Sequence, residues 1–238
     1  MASAAVLGST GLVGSHILTT LLASEAFSTV TTISRRMPKP APNPKLHTIV
    51  DSDTTAWAAY QSALSPAPHS IFASLASTRA ASGTIAAQRK IDHDLNIELA
   101  KAAKASGVKT FVFISSTGAG TTLAKKFAYT EMKVGVEEAI RELDFEQAIV
   151  LRPGMILGDS ERDVPRDDWL AAVFSATIGA VGRVSSGMAD MLGQEGSVIA
   201  RAAVAAERAA AEGRAPDKYW ILECADIAKF EKSERKER

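Results

Sequence analysis

Apolar positions open the chain as a short continuous run, Ala4-Ala5-Val6-Leu7, and then switch to helical spacing, with Ile17, Leu18, Leu21 and Leu22 along one side of a cylinder. A β-branched run, Val30-Thr31-Thr32-Ile33, follows, so the opening segment predicts strand, helix, strand. The alternation continues. Residues 46–50 and 70–75 predict further strands around a short helix over 55–64, and 92–106 predict a helix with Leu95, Leu99 and Ala102 on one face, closed by Gly107. Thr110-Phe111-Val112-Phe113-Ile114 is apolar at nearly every position, the signature of a strand buried on both faces of a parallel sheet. A helix over 129–143 and a strand over 147–151 come next. Strands and helices in strict alternation predict a Rossmann-type, doubly wound parallel α/β sheet with right-handed crossovers.

The pattern breaks twice. The Pro-punctuated run at 37–44 lacks the N–H groups for helix or central strand and is expected to be an exposed connection. Beyond Pro153, Gly154, Gly158, Pro165, Gly179, Gly182, Gly187, Gly193 and Gly196 cut the chain into short pieces. This predicts a small C-terminal substrate-covering lobe over 153–238, with Met155, Trp169, Phe174 and Met188 in its apolar content. Within it, an Ala-rich helix over 198–212 is expected to be capped by Ser197 and stopped by Gly213, and 219–223 to add a last strand. The dense alternating charge of 229–238 is expected to be a solvated tail.

Composition narrows the classes. At 238 residues and 46% apolar content, one domain is expected. Lys plus Arg (27) balance Asp plus Glu (27), and basic residues are not interleaved with aromatics, which excludes a broad nucleic-acid-binding surface. A single cysteine, Cys224, excludes an internal disulfide framework and a Cys-rich metal site, and no metal site is expected. No apolar stretch is long enough to span a bilayer, and no export signal leads the chain. On its own residues the chain is expected in the cytoplasm.

The chemistry begins where the first strand ends. Gly8-Ser9-Thr10-Gly11-Leu12-Val13-Gly14 joins strand to helix: the first glycine permits the tight turn, the second lets backbone approach a pyrophosphate, and the third lets helix lie against strand. The exposed N–H groups and positive end of the helix dipole then face the anion. Removing a presequence would destroy this loop, so the N-terminus is expected to persist near Met1. At the end of the second strand, where an NAD-specific sheet keeps an acid, stand Ser34-Arg35-Arg36. Two guanidinium groups suit a 2′-phosphate, so NADP(H) is expected over NAD(H). Asp51, ending the third strand, is a candidate acceptor for the adenine amino group, and equally a cap for the following helix.

Tyr129 and Lys133, four residues apart, project from one helix face. The cation is expected to lower the phenol's pKa, so that the hydroxyl exchanges a proton with a carbonyl or alcohol as nicotinamide exchanges hydride. Ser115-Ser116-Thr117-Gly118 ends the fifth strand at the sheet edge where α/β ligands bind, and one of these hydroxyls would orient the substrate oxygen.

Taken together, the glycine loop, Ser115-Ser116 and Tyr129-x-x-x-Lys133 resemble the short-chain dehydrogenase/reductase superfamily in its extended or atypical branch. More narrowly, Ser34-Arg35-Arg36, Leu75-Ala76-Ser77-Thr78-Arg79, Ser115-Ser116-Thr117-Gly118-Ala119 and Leu151-Arg152-Pro153-Gly154-Met155-Ile156-Leu157 are similar to the Tat-interactive oxidoreductase-like family and its fungal mitochondrial relatives. The resemblance implies that Gly8, Ser9, Gly11, Leu12 and Val13 meet the diphosphate, Arg35 and Arg36 the 2′-phosphate, and Leu75 and Ala76 the middle of the cofactor. It places Tyr129 and Lys133 on the nicotinamide ribose and Ile156 near the carboxamide. Spacing favours Ser116 as the substrate-orienting hydroxyl, and the extended enzymes would put Thr117 there. Kinship also implies peripheral attachment to the mitochondrial outer membrane. The expected activity is NADP(H)-dependent oxidoreduction of a small carbonyl or alcohol, with an NADPH-binding regulatory or interaction role without turnover as the alternative.

Overall fold

The structure, a computed structural model, describes residues 1–39, 42–77, 79–121, 127–158 and 193–236. Nine strands occur among them: β1 (Ala2–Leu7), β2 (Phe27–Ser34), β3 (Leu46–Val50), β4 (Ser70–Ala73), β5 (Thr110–Ile114), β6 (Gln147–Arg152), β7 (Met155–Leu157), β8 (Gly193–Glu195) and β9 (Tyr219–Glu223). Seven of them form one parallel sheet in the order β3-β2-β1-β4-β5-β6-β9, and β7 and β8 pair separately, also in parallel. The order reverses direction between β1 and β4. That is the topological switch point of a Rossmann-type sheet, where a crevice opens beyond the carboxyl ends of the strands.

The helices are α1 (Leu12–Ala23), α2 (Trp57–Ala63), α3 (Arg79–Ser82), α4 (Ile85–Arg89), α5 (Asn96–Ala105), α6 (Ala128–Glu142), α7 (Gly196–Ala211) and α8 (Cys224–Lys236), with a π-helical turn over Lys90–Leu95. They cover the sheet on both faces because alternate strand residues point to opposite sides and both sets are apolar. Val6, Phe72, Val112 and Ile149 pack under α1, α7 and α8, and Leu7, Ile71, Phe111 and Val150 pack under α2, α5 and α6. Ile17, Leu18 and Leu21 on α1 are fully buried, each contributing roughly 1.5–3 kcal/mol.

The predicted strands and crossovers hold to within a few residues. Gly107 and Gly213 end their helices in the left-handed conformation, at φ of 87° and 73°. In both, the next N–H reaches back to a carbonyl of the last turn, Val108 to Ala103 and Arg214 to Ala209. Ser197 is not a cap. It lies inside α7, whose N-cap is Glu195, and its hydroxyl donates to the Glu195 carboxylate. The helix expected over 92–106 is entered earlier, from Thr84, whose hydroxyl accepts from the Ala87 N–H and caps α4.

The expected solvated tail is also corrected, as residues 229–236 belong to α8. Phe230 meets Trp220 edge-on at 5.2 Å, and Glu231, buried, accepts from Arg201 at 2.7 Å. The charges lie on an amphipathic helix whose buried side is carried by Ile227, Ala228 and Glu231, too few apolar positions to stand out in the sequence. With β9 beside β6 and α7 against α1, residues 196–236 build the sheet and its cover. Of the expected lobe, 159–192 lie outside the described residues, including Trp169, Phe174 and Met188.

α7 also carries Glu207, a carboxyl only 1% exposed. Burial pushes it up to about 7, with the Arg208 charge pulling the other way. Because the folded value lies above the unfolded one, near 4.5, the stabilising contribution is complete below pH 4.5 and is lost as pH rises through about 7. Glu207→Gln should therefore stabilise the protein at pH 8 by roughly 1–3 kcal/mol and have little effect at pH 4. Thermal unfolding at both pH values checks this, and equal shifts at both would contradict it.

Candidate active site

β1 ends at Leu7 and the chain turns sharply at Gly8, whose φ is 88°. A Cβ on Gly8 would stand 3.0 Å from the Ser74 carbonyl group, and one on Gly14 would stand 2.1 Å from the Gly8 carbonyl oxygen. The first and third glycines therefore serve the turn and the close approach of α1 to the loop, as their spacing predicts. Gly11 donates to the Gly8 carbonyl at 2.9 Å and becomes the N-cap of α1. No side chain caps this end and no acid occupies the first turn, so the N–H groups of Leu12, Val13 and Gly14 point at the loop with no intrahelical acceptor. Ser9 is fully buried, and its Oγ lacks a hydrogen-bond partner among the described residues. The side chain of Val13 is in the core, leaving it only backbone to offer, and Leu12 is half-buried against Gly158 and Gly196.

A crevice open to solvent lies at the switch point, walled by Gly8, Thr10, Gly11, Arg35, Leu75 and Ala76, with Trp57 among its other contacts. Arg35 faces it, and Arg36 beside it is exposed, the turn being held by a 2.7 Å hydrogen bond from the Ser34 hydroxyl to the Arg36 carbonyl. Asp51 does not cap the following helical turn. Asp53 does, accepting from the Thr55 N–H, whereas the Asp51 carboxylate accepts from the Asp53 N–H and the Tyr60 hydroxyl, each at 2.8 Å. Glycine loop, arginine turn and the segment after β4 thus converge as a cradle fit for a dinucleotide diphosphate.

On the far side of β4, α6 brings the catalytic candidates to the end of β5. Lys133 is 2% exposed and donates to the Ile114 carbonyl at 3.0 Å, with its Nζ 4.7 Å from the Phe113 ring centre. Burial pulls its pKa down to about 8, and the charges of Asp92 and Glu137 oppose that fall. Tyr129 stands one turn earlier with 40% of its surface accessible, its ring centre 6.0 Å from the Lys133 nitrogen. The expectation that Lys133 lowers the phenol is corrected. Burial, with the Asp92 charge added, pushes Tyr129 up to about 12, and Lys133 spends its hydrogen bond on the Ile114 carbonyl.

The three hydroxyls after β5 separate. Ser115 is buried and donates to the Glu137 carboxylate, so it is committed to the scaffold. Ser116, half-buried, makes no side-chain capping bond, and Thr117 is exposed with its N–H held by the Pro153 carbonyl at 2.9 Å. The turn they open packs on the first turn of α6, where a Cβ on Gly118 would stand 2.5 Å from the Thr130 methyl. Ser116 and Tyr129 therefore share one edge of the sheet. Ile156 lies in β7, packed partly buried against the core beneath α1, and is not part of the crevice wall.

Two features escape the sequence pattern. Glu137, one turn after Lys133, accepts two hydrogen bonds from Arg152, at 3.1 and 2.6 Å, and Arg152 reaches Glu223 at 2.7 Å, tying α6, β6 and β9 together beneath the site. Spacing gave one signal: Tyr129, Lys133 and Glu137 fall at successive i, i+4 positions. The second is Asp92, fully buried on the π-helical turn, which reads in the sequence as one more charge at a helix surface.

A cradle at the switch point and a Tyr–Lys pair at the adjoining strand end define a nicotinamide-dinucleotide-binding protein, and residues 8–168 match the model of the NAD(P)H-binding family, to which the chain belongs. Within it, the chain belongs with the fungal FMP52 mitochondrial proteins. It is 53% identical to protein fmp52-2, mitochondrial, of Aspergillus oryzae and 52% identical to protein FMP52, mitochondrial, of Chaetomium globosum, covering 100% of both chains in each case. In fold it is similar to the Bordetella bronchiseptica enzyme WbmF in complex with NAD+, at a TM-score of 0.67 and 16% identity, over 96% of this chain and 76% of that one. It is similar also to UDP-glucose 4-epimerase from Thermotoga maritima with UDP-glucose, at 0.64 and 15%, over 97% and 82%.

Proposed function

We propose that the protein is an NADP(H)-dependent oxidoreductase of the short-chain dehydrogenase/reductase type acting on a small carbonyl or alcohol. The observation that carries the reading is the placement of Lys133 beneath the last residue of β5, on a helix whose first turn presents Tyr129 beside the turn opened by Ser116. Gly8 to Gly14 would hold the diphosphate at the start of α1, Arg35 and Arg36 the 2′-phosphate, with Asp51 at the adenine end, Leu75 and Ala76 at the middle, and Tyr129, Lys133 and Ile156 at the nicotinamide end. Bound there, the dinucleotide supplies the hydride. Tyr129, protonated at neutral pH, donates its proton to the substrate oxygen, and Ser116 donates a hydrogen bond to the same oxygen. Lys133 holds positive charge 6.0 Å from the Tyr129 ring centre, so reduction should slow as pH rises through about 8 and that charge is lost. Kinship with fungal mitochondrial proteins and resemblance to the Tat-interactive oxidoreductase-like family support peripheral attachment at the mitochondrial outer membrane. No helix among the described residues is long and apolar enough to cross a membrane.

One observation favours a second reading, an NADPH-binding regulatory or interaction protein without turnover: the Lys133 ammonium is bonded to the Ile114 carbonyl rather than to the Tyr129 hydroxyl. NADPH consumption against a panel of aldehydes and ketones, beside calorimetric binding of NADPH alone, separates the two. Consumption supports the enzyme and binding without consumption the regulator. No binding overturns both.

A further inference from the structure

Asp92 is a fully buried carboxylate that the proposed chemistry leaves unused. It sits on the π-helical turn between Ile91 and Leu95's ends of the crevice wall and the face of α6. One oxygen accepts from the Ser77 N–H at 2.6 Å and the Ser77 hydroxyl at 2.9 Å, and the other accepts from the Gln88 amide at 3.1 Å. Ser77 ends the stretch whose Leu75 and Ala76 wall the crevice. On its other side, the turn meets α6 so closely that a Cβ on Gly135 would stand 2.5 Å from the His93 ring. The Lys133 ammonium donates to the Ile114 carbonyl of β5, lies over the Phe113 ring and 6.0 Å from the Tyr129 ring centre, and feels the charges of Glu137 from its own helix and Asp92 from the π-helical turn.

We propose that Asp92 is a positioning residue that ties the crevice wall to the Tyr129–Lys133 pair, clamping Ser77 with one carboxylate oxygen while Gln88 holds the other, and supporting the buried ammonium with its charge. A buried carboxylate left without hydrogen bonds is strongly unfavourable; Ser77 and Gln88 supply them to Asp92, and its charge supports the buried Lys133 ammonium. Loop and cation are thereby set by one side chain. Its contribution to turnover rests on the reading above, but its effect on Lys133 needs neither cofactor nor substrate.

The test is an NMR titration of the full chain carrying lysine labelled with carbon-13 at Cε, with Lys133 assigned by its loss in Lys133→Met. Asp92→Asn keeps the shape and an acceptor for the Ser77 N–H while removing the charge. The Lys133 midpoint should then fall below its starting value of about 8, and Asp92→Glu should restore it. A purely structural role gives the opposite sign, since loosening admits water and moves the midpoint up toward 10.5. An unchanged or raised midpoint overturns the proposal. Ser77→Ala keeps the charge but removes one hydrogen bond from the clamp, and calorimetry should show NADPH affinity falling roughly tenfold. Unchanged affinity in that variant overturns the clamp. If the unaltered protein binds no NADPH, the functional reading fails while the titration still decides the charge coupling.

Discussion

Tyr129→Phe should abolish turnover, by a factor on the order of 10²–10⁴, while NADPH binding weakens only slightly. The ring stays and the proton goes. Lys133→Met should do more, because it removes the buried positive charge behind Tyr129 and the donor to the Ile114 carbonyl. Turnover and cofactor affinity are expected to fall together in that variant, whereas in Tyr129→Phe they separate. Single-turnover rates and calorimetric affinities for both variants check this. Undiminished reduction of a defined carbonyl by Tyr129→Phe would refute the acid role.

The second large effect concerns the cofactor's phosphate. Arg35→Ala with Arg36→Ala should cost NADPH roughly 1.5–3 kcal/mol per lost charge-assisted hydrogen bond, and cost NADH almost nothing. Both are exposed, but only Arg35 walls the crevice. Arg35→Ala alone is therefore expected to account for most of the change. Paired titrations with the two cofactors measure it, and equal losses for both would remove the assignment to NADP(H).

The sheet was legible in the sequence because β5 and β6 are so apolar that no other arrangement buries both their faces, and Gly8 and Gly14 stand where backbone contact leaves no room for a side chain. Local signals also marked Gly107 and Gly213. What stayed hidden were partnerships between distant residues. Ser115 looks like Ser116 in a list of hydroxyls, and only the approach of Glu137 commits it. The Arg152–Glu223 contact joins residues 71 positions apart. Asp92 reads as surface charge because burial is decided by Ser77 and α6, neither of which its neighbours announce. Ser197 failed as a cap for a local reason, since the chain enters α7 two residues earlier, through Glu195 and Gly196.

The packing of α7 on α1, with Gly196 set against Leu12 and His16, has a consequence for how the chain is made. β5 and β6 leave the ribosome well before α7 and α8, so during synthesis Val112 and Ile149 face water on the side those helices will cover. A nascent chain in that condition is adhesive, and its rescue depends on contacts of high sequence separation that form late and slowly. The apolar face is therefore closed only when α7 and α8 arrive.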